Sequence, residues 1–386
     1  MLTMAVGHSD DVDPGDAIAT AIDECRATLA GRSPQAGIFF CTVDSFDPSL
    51  VARVREAFPS INLMGSTSAS EISSVKGYME DSMTLALFAS DDIDFTVGFG
   101  AGLATDLEGA CRAAATQAMA GTSREPKVCV MMTEAFIVDP QLTLNAMSAA
   151  LPGDVVVLGG TSARSDFTAV TPSYQFANDQ VAEDGVAILL FSGDLKFSTA
   201  VGNGWRTLGP KGVVTRSEYG AVHEIDGRPA VEFLARYLDV SGPATYGNPL
   251  AVFEGGTDEF YIRAVPAIDT ESGSVSLAGS IPVGAEVQLT TANTDDILGG
   301  TRDALERAGK AFPAGAEPEA ALIFSCAVRK FLLGSRTHQE AELTAEVLGS
   351  SIPVAGTYCY GEVGPVKGVV HSRWLNETFV TLLLGE

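Results

Sequence analysis

Apolar residues recur along this chain in two alternating rhythms. Residues 2–7 read as a short strand, after which Asp13 as N-cap and Pro14 at the first helical position announce a helix. Its stripe, Ala17, Ile18, Ala21, Ile22, Cys25 and Leu29, keeps helical spacing, and Gly31 ends it. A strand over Gly37–Thr42 follows, then a helix over Pro48–Phe58 with Leu50, Val51, Val54 and Ala57 inward. An apolar run at Ile61–Met64 and a strand over Met83–Phe88 complete the unit. The order restarts at Phe95–Gly98, with a capping box of Thr105 and Glu108 and Gly121 beyond the helix. It continues through a strand at Val128–Thr133, a helix at Pro140–Leu151, an apolar run at Val155–Leu158 and a strand at Val186–Phe191. A third copy is expected from Glu286–Thr290, with helices over 295–308 and 337–348 and strands over 321–326 and 379–384.

Between the second and third copies the texture changes. Residues 195–282 alternate as antiparallel hairpins do, with an Asp226-Gly227 turn and one short helix near Pro229–Leu238. The pattern predicts an α/β fold of three βαβαββ-type repeats with mixed sheets and a central antiparallel hairpin region. Ser241-Gly242-Pro243 is the most loop-like point, dividing the chain into 1–240, with two repeats and the hairpins, and 241–386, with the third repeat.

Each repeat contains an apolar run that breaks into glycine and small hydroxyl residues. The three are Gly65-Ser66-Thr67-Ser68-Ala69, Gly159-Gly160-Thr161-Ser162-Ala163 and Gly356-Thr357. A buried strand ending in this way is expected to turn sharply and to present backbone N–H and hydroxyl groups to a small polar ligand. The functional surface is placed there, with the three tips contributing to shared pockets.

Composition narrows the function classes. The 386 residues are 46% hydrophobic and 19% charged, enough to bury a large core. The excess of acid, with a formal net charge of -25, repels phosphate backbones and anionic lipid heads, so neither nucleic acid nor a membrane surface is expected as partner. The first residues lack a basic segment and a long apolar core, and no apolar run approaches the ~20 residues of a membrane span. A cytoplasmic protein is expected. Six cysteines stand singly without a C-x-x-C pair, which argues for reduced thiols rather than zinc or disulfides.

The third repeat carries Phe324-Ser325-Cys326-Ala327-Val328-Arg329 and Gly356-Thr357-Tyr358-Cys359-Tyr360-Gly361-Glu362. These resemble the C-terminal half of the FIST sensory family, whose pattern is Phe-Ser-Cys-x-x-Arg followed by Gly-x-Tyr-x-x-Gly-Glu. Gly65-Ser66-Thr67-Ser68-Ala69 with Glu71-Ile72, and Gly204-Trp205-Arg206 with Leu208-Gly209-Pro210 and Val214-Thr215, resemble its N-terminal half. The resemblance spans nearly the whole chain. It departs at Val328, where a small residue is expected, at Thr357, where an aromatic is common, and at Glu377, where Asn-Gly-Thr is usual. It implies a sensor of small ligands in signal transduction, amino acids being the usual suggestion. Some members bind haem to sense nitric oxide.

Arg329 and Arg263 are candidate anchors for a ligand carboxylate, since a guanidinium matches two oxygens; pairing with acidic neighbours is the alternative. Glu71 and Glu362 are placed to accept a ligand ammonium or to cap a loop. Tyr358 and Tyr360 share one face of an extended segment, and Cys326 lies at a strand end within reach of Arg329. With Ser66, Thr67, Ser68, Thr161, Ser162 and Thr357 these form the expected ligand site, with no catalytic residue and no metal. Gly98-Phe99-Gly100-Ala101-Gly102 lacks the final glycine of a dinucleotide turn, and no G-x-S-x-G elbow exists. No resident cofactor is expected, with haem kept open through His223 or His371. Two alternatives to an amino-acid or carboxylate sensor remain: a haem-based nitric oxide sensor, and a pseudo-threefold amide hydrolase using the converging hydroxyls with Lys76 as base. As a sensor, the chain would report to a separate partner such as a histidine kinase, cyclase or chemoreceptor.

Overall fold

The computed structural model describes residues 1–164, 172–218, 220–240, 246–254, 256, 258–366 and 372–386. The first unit comprises β1 (Thr3–Ser9), α1 (Pro14–Leu29), β2 (Ala36–Thr42), α2 (Pro48–Ala57), β3 (Asn62–Ser68), the hairpin β4 (Glu71–Ser73) and β5 (Gly77–Met79), and β6 (Met83–Ala89). The second repeats it as β7 (Ile93–Ala101), α3 (Leu103–Ala120), β8 (Pro126–Thr133), α4 (Pro140–Ala150), β9 (Val156–Thr161), the hairpin β10 (Gln175–Ala177) and β11 (Gln180–Ala182), and β12 (Gly185–Gly193). The third opens on β13 (Lys196–Gly202) and is then interrupted by an insert. The insert holds β14 (Arg206–Glu218), β15 (Ala221–Ile225), β16 (Arg228–Pro229), α5 (Ala230–Leu234), β17 (Leu250–Phe253), β18 (Phe260–Arg263), β19 (Ala267–Asp269), β20 (Ser274–Ser276) and β21 (Glu286–Thr291). The unit resumes with α6 (Thr294–Ala311), β22 (Ala320–Cys326), α7 (Ala327–Leu333), α8 (His338–Leu348), β23 (Val354–Cys359), the hairpin β24 (Glu362–Pro365) and β25 (Ser372–Leu375), and β26 (Phe379–Gly385).

Two expectations are corrected. The segment from Glu286 pairs with β14 and β17 inside the insert, so the first strand of the third unit is β13, which pairs with β26. The helix after β7 takes Gly102 as its N-cap, and Asp106 interrupts its first turns, in place of a Thr105–Glu108 box. A capping box does form on α6, between Asn293 and Asp296. The boundary expected at residues 241–243 lies outside the described residues.

The sheet order is the same in all three units and reveals a cyclic exchange. The first sheet runs β1-β6-β2-β3 and is completed by β10-β11 of the second unit. The second runs β7-β12-β8-β9 and is completed by β24-β25 of the third, and the third runs β13-β26-β22-β23 and is completed by β4-β5 of the first. Each unit lends its hairpin and borrows another. The exchange is sealed at equivalent amides, with Thr67 N donating to Tyr174 O at 2.9 Å, Thr161 N to Gly361 O at 3.0 Å and Tyr358 N to Ser70 O at 2.9 Å.

Strand alternation sorts side chains into two layers. Ile38, Phe40 and Met64, Val130, Met132 and Leu189, and Leu322, Phe324 and Leu382 join in one central core between the sheets. On the outer faces, Phe39 and Leu85 pack on α1 and α2, Met131 and Ile188 on α3 and α4, and Ile323 and Leu383 on α6. The insert has a core of its own around Val214, Phe233 and Val287.

The repeated glycine has a packing cause. Gly65, Gly159 and Gly356 stand opposite Phe39, Met131 and Ile323 on the parallel neighbour strand. A Cβ at these glycines would lie 1.8, 2.1 and 2.4 Å from the carbonyl oxygens of those three residues. The strands therefore continue through the glycine instead of turning at it. Gly65→Ala is expected to lose about 3 kcal/mol in urea unfolding, whereas Gly153→Ala, with nothing within 4 Å of its Cβ, stays within about 0.5 kcal/mol of wild type.

Candidate functional site

The three glycine–hydroxyl stretches do converge, but inside the protein. Ser66, Thr67, Ser68, Thr161, Ser162 and Thr357 are all fully buried. Two of them, Ser68 and Ser162, take part in a threefold staple at the ends of the sheets. In the first unit Ser68 and Ser82 both donate to Glu71. In the second, Gln175 takes that place, donating to Ser162 Oγ at 2.6 Å and accepting from Gly185 N at 3.0 Å. In the third, Glu362 accepts from Cys359 Sγ at 3.6 Å and from Thr378 N and Oγ1 at 3.0 and 2.8 Å. Each residue ties a lent hairpin to the strand end of its own unit. Thr67 Oγ1 accepts from Tyr174 N at 3.0 Å, and the hydroxyls of Ser66, Thr161 and Thr357 find no partner among the described residues.

Arg329 and Tyr358 also turn inward. Arg329 Nε and Nη2 donate to Glu340 at 3.0 and 2.8 Å, and its remaining donors reach Ile297 O, Thr301 Oγ1 and Asn203 O. Glu340 also accepts from Ser325 Oγ and Tyr358 O–H. The guanidinium and the phenol are thereby consumed by one internal carboxylate, the pairing alternative raised by the acidic sequence. Arg263 likewise spends its donors on the carbonyls of Ile262, Ser280 and Trp374 and stacks on Tyr261, bridging insert and body.

Cys326 and Tyr360 reach a different place, a cleft of about 250 Å³ between body and insert. The body contributes Phe136, from the loop after β8, with Trp374 and Asn376 from the end of β25. The insert contributes Ala264, Pro266 and the Leu277-Ala278-Gly279 segment, and Tyr246 closes one side. Phe136 meets Tyr360 edge to face with ring centroids 5.2 Å apart. Glu134 holds that loop by accepting from the amides of Phe136 and Ile137. Trp374 and Asn376 are 3% and 1% exposed, and Trp374 Nε1 and Asn376 Nδ2 have no acceptor among the described residues. Their spacing of two in sequence puts both on one side of the strand end. Sequence reasoning missed Phe136, Tyr246, Trp374 and Asn376, because the insert and three separate strand ends bring them together.

The departure at Glu377 follows Asn376 directly in sequence. Its φ is +56°, a conformation glycine adopts freely and other residues rarely do, and both its carboxyl oxygens are buried without a partner. Burial raises its pKa well above the usual carboxylate range, the nearby Glu362 raises it further, and Arg329 opposes both. Burial pushes Glu362 up to about 8 against the hydrogen bonds from Thr378. The Cys326 thiol rises for the same reason, first by burial and then by these two acids.

Other expectations fall elsewhere. Lys76 pairs with Asp10 at 2.5 Å rather than with any of the converging hydroxyls. His223 lies on β15 with Nε2 2.9 Å from Glu218, and His371 is outside the described residues. The described cleft lining contains no histidine. Among the described residues no group of three or more His, Cys, Asp or Glu side chains is placed to hold a metal, and no helix is long and apolar enough to cross a membrane.

The FIST N domain matches residues 35–228 and the FIST C domain residues 230–365. An uncharacterized protein of Mycobacterium tuberculosis is 26% identical over 257 residues, and one of Mycobacterium bovis is 25% identical over 256. Each alignment covers 62% of this chain and 63% of the relative, so the match spans less than two thirds of those proteins. Among solved structures, a cyanuric acid hydrolase from A. caulinodans aligns over 100% of this chain and 99% of its own, at 11% identity and a TM-score of 0.38.

The buried acids make stability depend on pH with a definite sign. Glu362 keeps its proton in the folded protein up to about 8, whereas unfolded it loses it near 4.5. Its contribution is full below the lower value and is lost as pH rises through the upper one. Melting temperature should fall between pH 5 and pH 8.5, and Glu362→Gln should flatten that fall; an equal slope in both proteins would contradict the assignment.

Proposed function

The chain belongs to the FIST family, and from that premise we propose that it is a cytoplasmic sensory protein that binds a small carboxylate-bearing ligand in the body–insert cleft. FIST domains are generally small-ligand sensory domains in signalling. The observation that carries the ligand class is the pair of buried donors, Trp374 Nε1 and Asn376 Nδ2, lining one cleft without an acceptor. Unpaired buried donors cost about 1–3 kcal/mol each, a cost that a ligand oxygen relieves. A carboxylate accepts from both while the ligand body lies against Phe136 and Tyr360. Amino acids are the carboxylates to test first, with the Glu377 carboxyl, next in sequence to Asn376 and equally without a partner, offering a carbonyl oxygen that can accept from an ammonium group.

The route to a signal follows from the walls. Since body and insert each form one side of the cleft, occupancy biases how the two sit together, and a separate partner such as a histidine kinase, cyclase or chemoreceptor reads that difference. This reading rests on side chains in the cleft, and no comparable observation favours haem or an amide hydrolase at the converged hydroxyls.

Calorimetric titration with glycine, alanine, leucine, phenylalanine, glutamate and short-chain carboxylates provides the test. At least one should bind, with Asn376→Asp and Trp374→Phe each weakening it by about 10- to 100-fold, the value of a hydrogen bond to a charged group. Absence of binding by the whole set, or equal affinity in both variants, would overturn the proposal.

A further inference from the structure

The cleft between body and insert has an open rim and a closed floor, and the two differ in chemistry. At the rim Phe136 is 45% exposed and Tyr246 and Tyr360 are half-buried, whereas Cys326, Val328, Trp374 and Asn376 are buried at the floor. A ligand entering from solvent therefore passes aromatic rings first and meets the two hydrogen-bond donors last.

Those donors are held in place from both sides. Asn376 Oδ1 accepts from Ala264 N of the insert at 3.3 Å, which leaves the Nδ2 hydrogens to a ligand. Trp374 N donates to Gln141 Oε1 at 3.0 Å, and its carbonyl accepts from Arg263 Nη1 at 2.9 Å. Two glycines flank the indole. A Cβ at Gly361 would lie 2.0 Å from Cη2 and Cζ2, and one at Gly279 would lie 3.1 Å from Cδ1 and Nε1. Gly279 has a φ of +113°, where a side chain is strained, so the Nε1 edge stays uncovered. The same point is 3.2 Å from Arg263 Nε, which sets the guanidinium beside the indole N–H. The hydrogen bonds of Arg263 go to neutral carbonyls and leave its charge in place, so an anion at the floor is attracted despite the acidic sequence.

The walls above the floor fit a flat group. The body offers the edge-to-face pair of Phe136 and Tyr360, and the insert offers the short side chains of Ala264, Pro266 and Ala278. The scaffold does not require a ring at 360: counted from the repeated glycine, the first two units have Ala69 and Ala163 at that position. An apolar cavity of roughly 150 Å³ holds one benzene ring, so a cleft of about 250 Å³ has room for a ring and a short acid arm. Aromatic rings packed edge to face or offset gain about 2- to 10-fold in affinity beyond what burial of their area gives.

We propose that the cleft selects carboxylates that carry an aromatic ring on a short arm, a class that includes arylalkyl carboxylic acids and aromatic amino acids. The carboxylate accepts from Trp374 Nε1 and Asn376 Nδ2 beside the Arg263 charge, and the ring lies against Phe136 and Tyr360. Phe136 sets the selectivity, because Glu134 fixes its loop and its own ring forms the rim. This inference rests on the carboxylate reading of the cleft and adds the chemistry of the ligand's other end.

Calorimetric titration of the full chain with 3-phenylpropanoate and 3-cyclohexylpropanoate separates ring chemistry from size. Burial of apolar area alone favours the saturated ring, which is larger and more hydrophobic. The aromatic walls should reverse that order, with 3-phenylpropanoate binding at least about threefold tighter. Phe136→Leu, checked for an unchanged melting temperature without ligand, should bring the ratio of the two affinities to about one or below. Equal or tighter binding of the saturated acid by the wild-type protein, or an unchanged ratio in Phe136→Leu, would overturn the aromatic selection and leave the carboxylate reading standing. Binding of glycine or alanine with neither ring acid bound would do the same. Absence of binding by every acid would remove the carboxylate reading and this inference with it.

Discussion

The fold depends on edge closure. Each of β3, β9 and β23 would end its sheet with a row of unpaired amides and carbonyls, and each is covered by a hairpin from another unit. Buried backbone groups must be paired, and an open edge invites foreign strands. Because the lending runs in a circle, no unit has a complete sheet of its own. The staples at Glu71, Gln175 and Glu362 fix the lent hairpins, and the glycines at 65, 159 and 356 let the inner strands approach closely enough for the register to hold.

This division also separates scaffold from site. The positions that match between units, including the hydroxyls of Thr67, Ser68 and Ser162 that look chemical in the sequence, serve the circle. Where units differ, chemistry has room. The third unit alone places Trp374, Asn376 and Glu377 at its hairpin end beside the insert. A symmetric core therefore carries asymmetric surfaces.

Local rhythm made the α/β units readable, down to the inward stripe of α1 and the parallel strands around each glycine. Long-range pairing was not readable. β13 carries no mark that it belongs with α6, because the insert separates them, and β21 looks as good a partner until its pairing with β14 and β17 is seen. The glycine motif was visible but its cause was not, since a close backbone approach and a turn ask for the same residue. Arg329 was ambiguous for a similar reason: Glu340, which neutralises it, lies on a separate helix and has no motif of its own. Of the expected site residues, Cys326 and Tyr360 reach the cleft, while the walls around them come from three parts of the chain.

Native-state hydrogen exchange at the amides of Thr67, Thr161 and Tyr358 tests the circle most directly, because these three groups close it. If the units are completed only by one another, all three should exchange with one opening free energy, equal to that of global unfolding. One amide exchanging through a separate, lower-energy opening while the other two stay protected would show that a hairpin can leave without breaking the rest, and would contradict the interlocked fold.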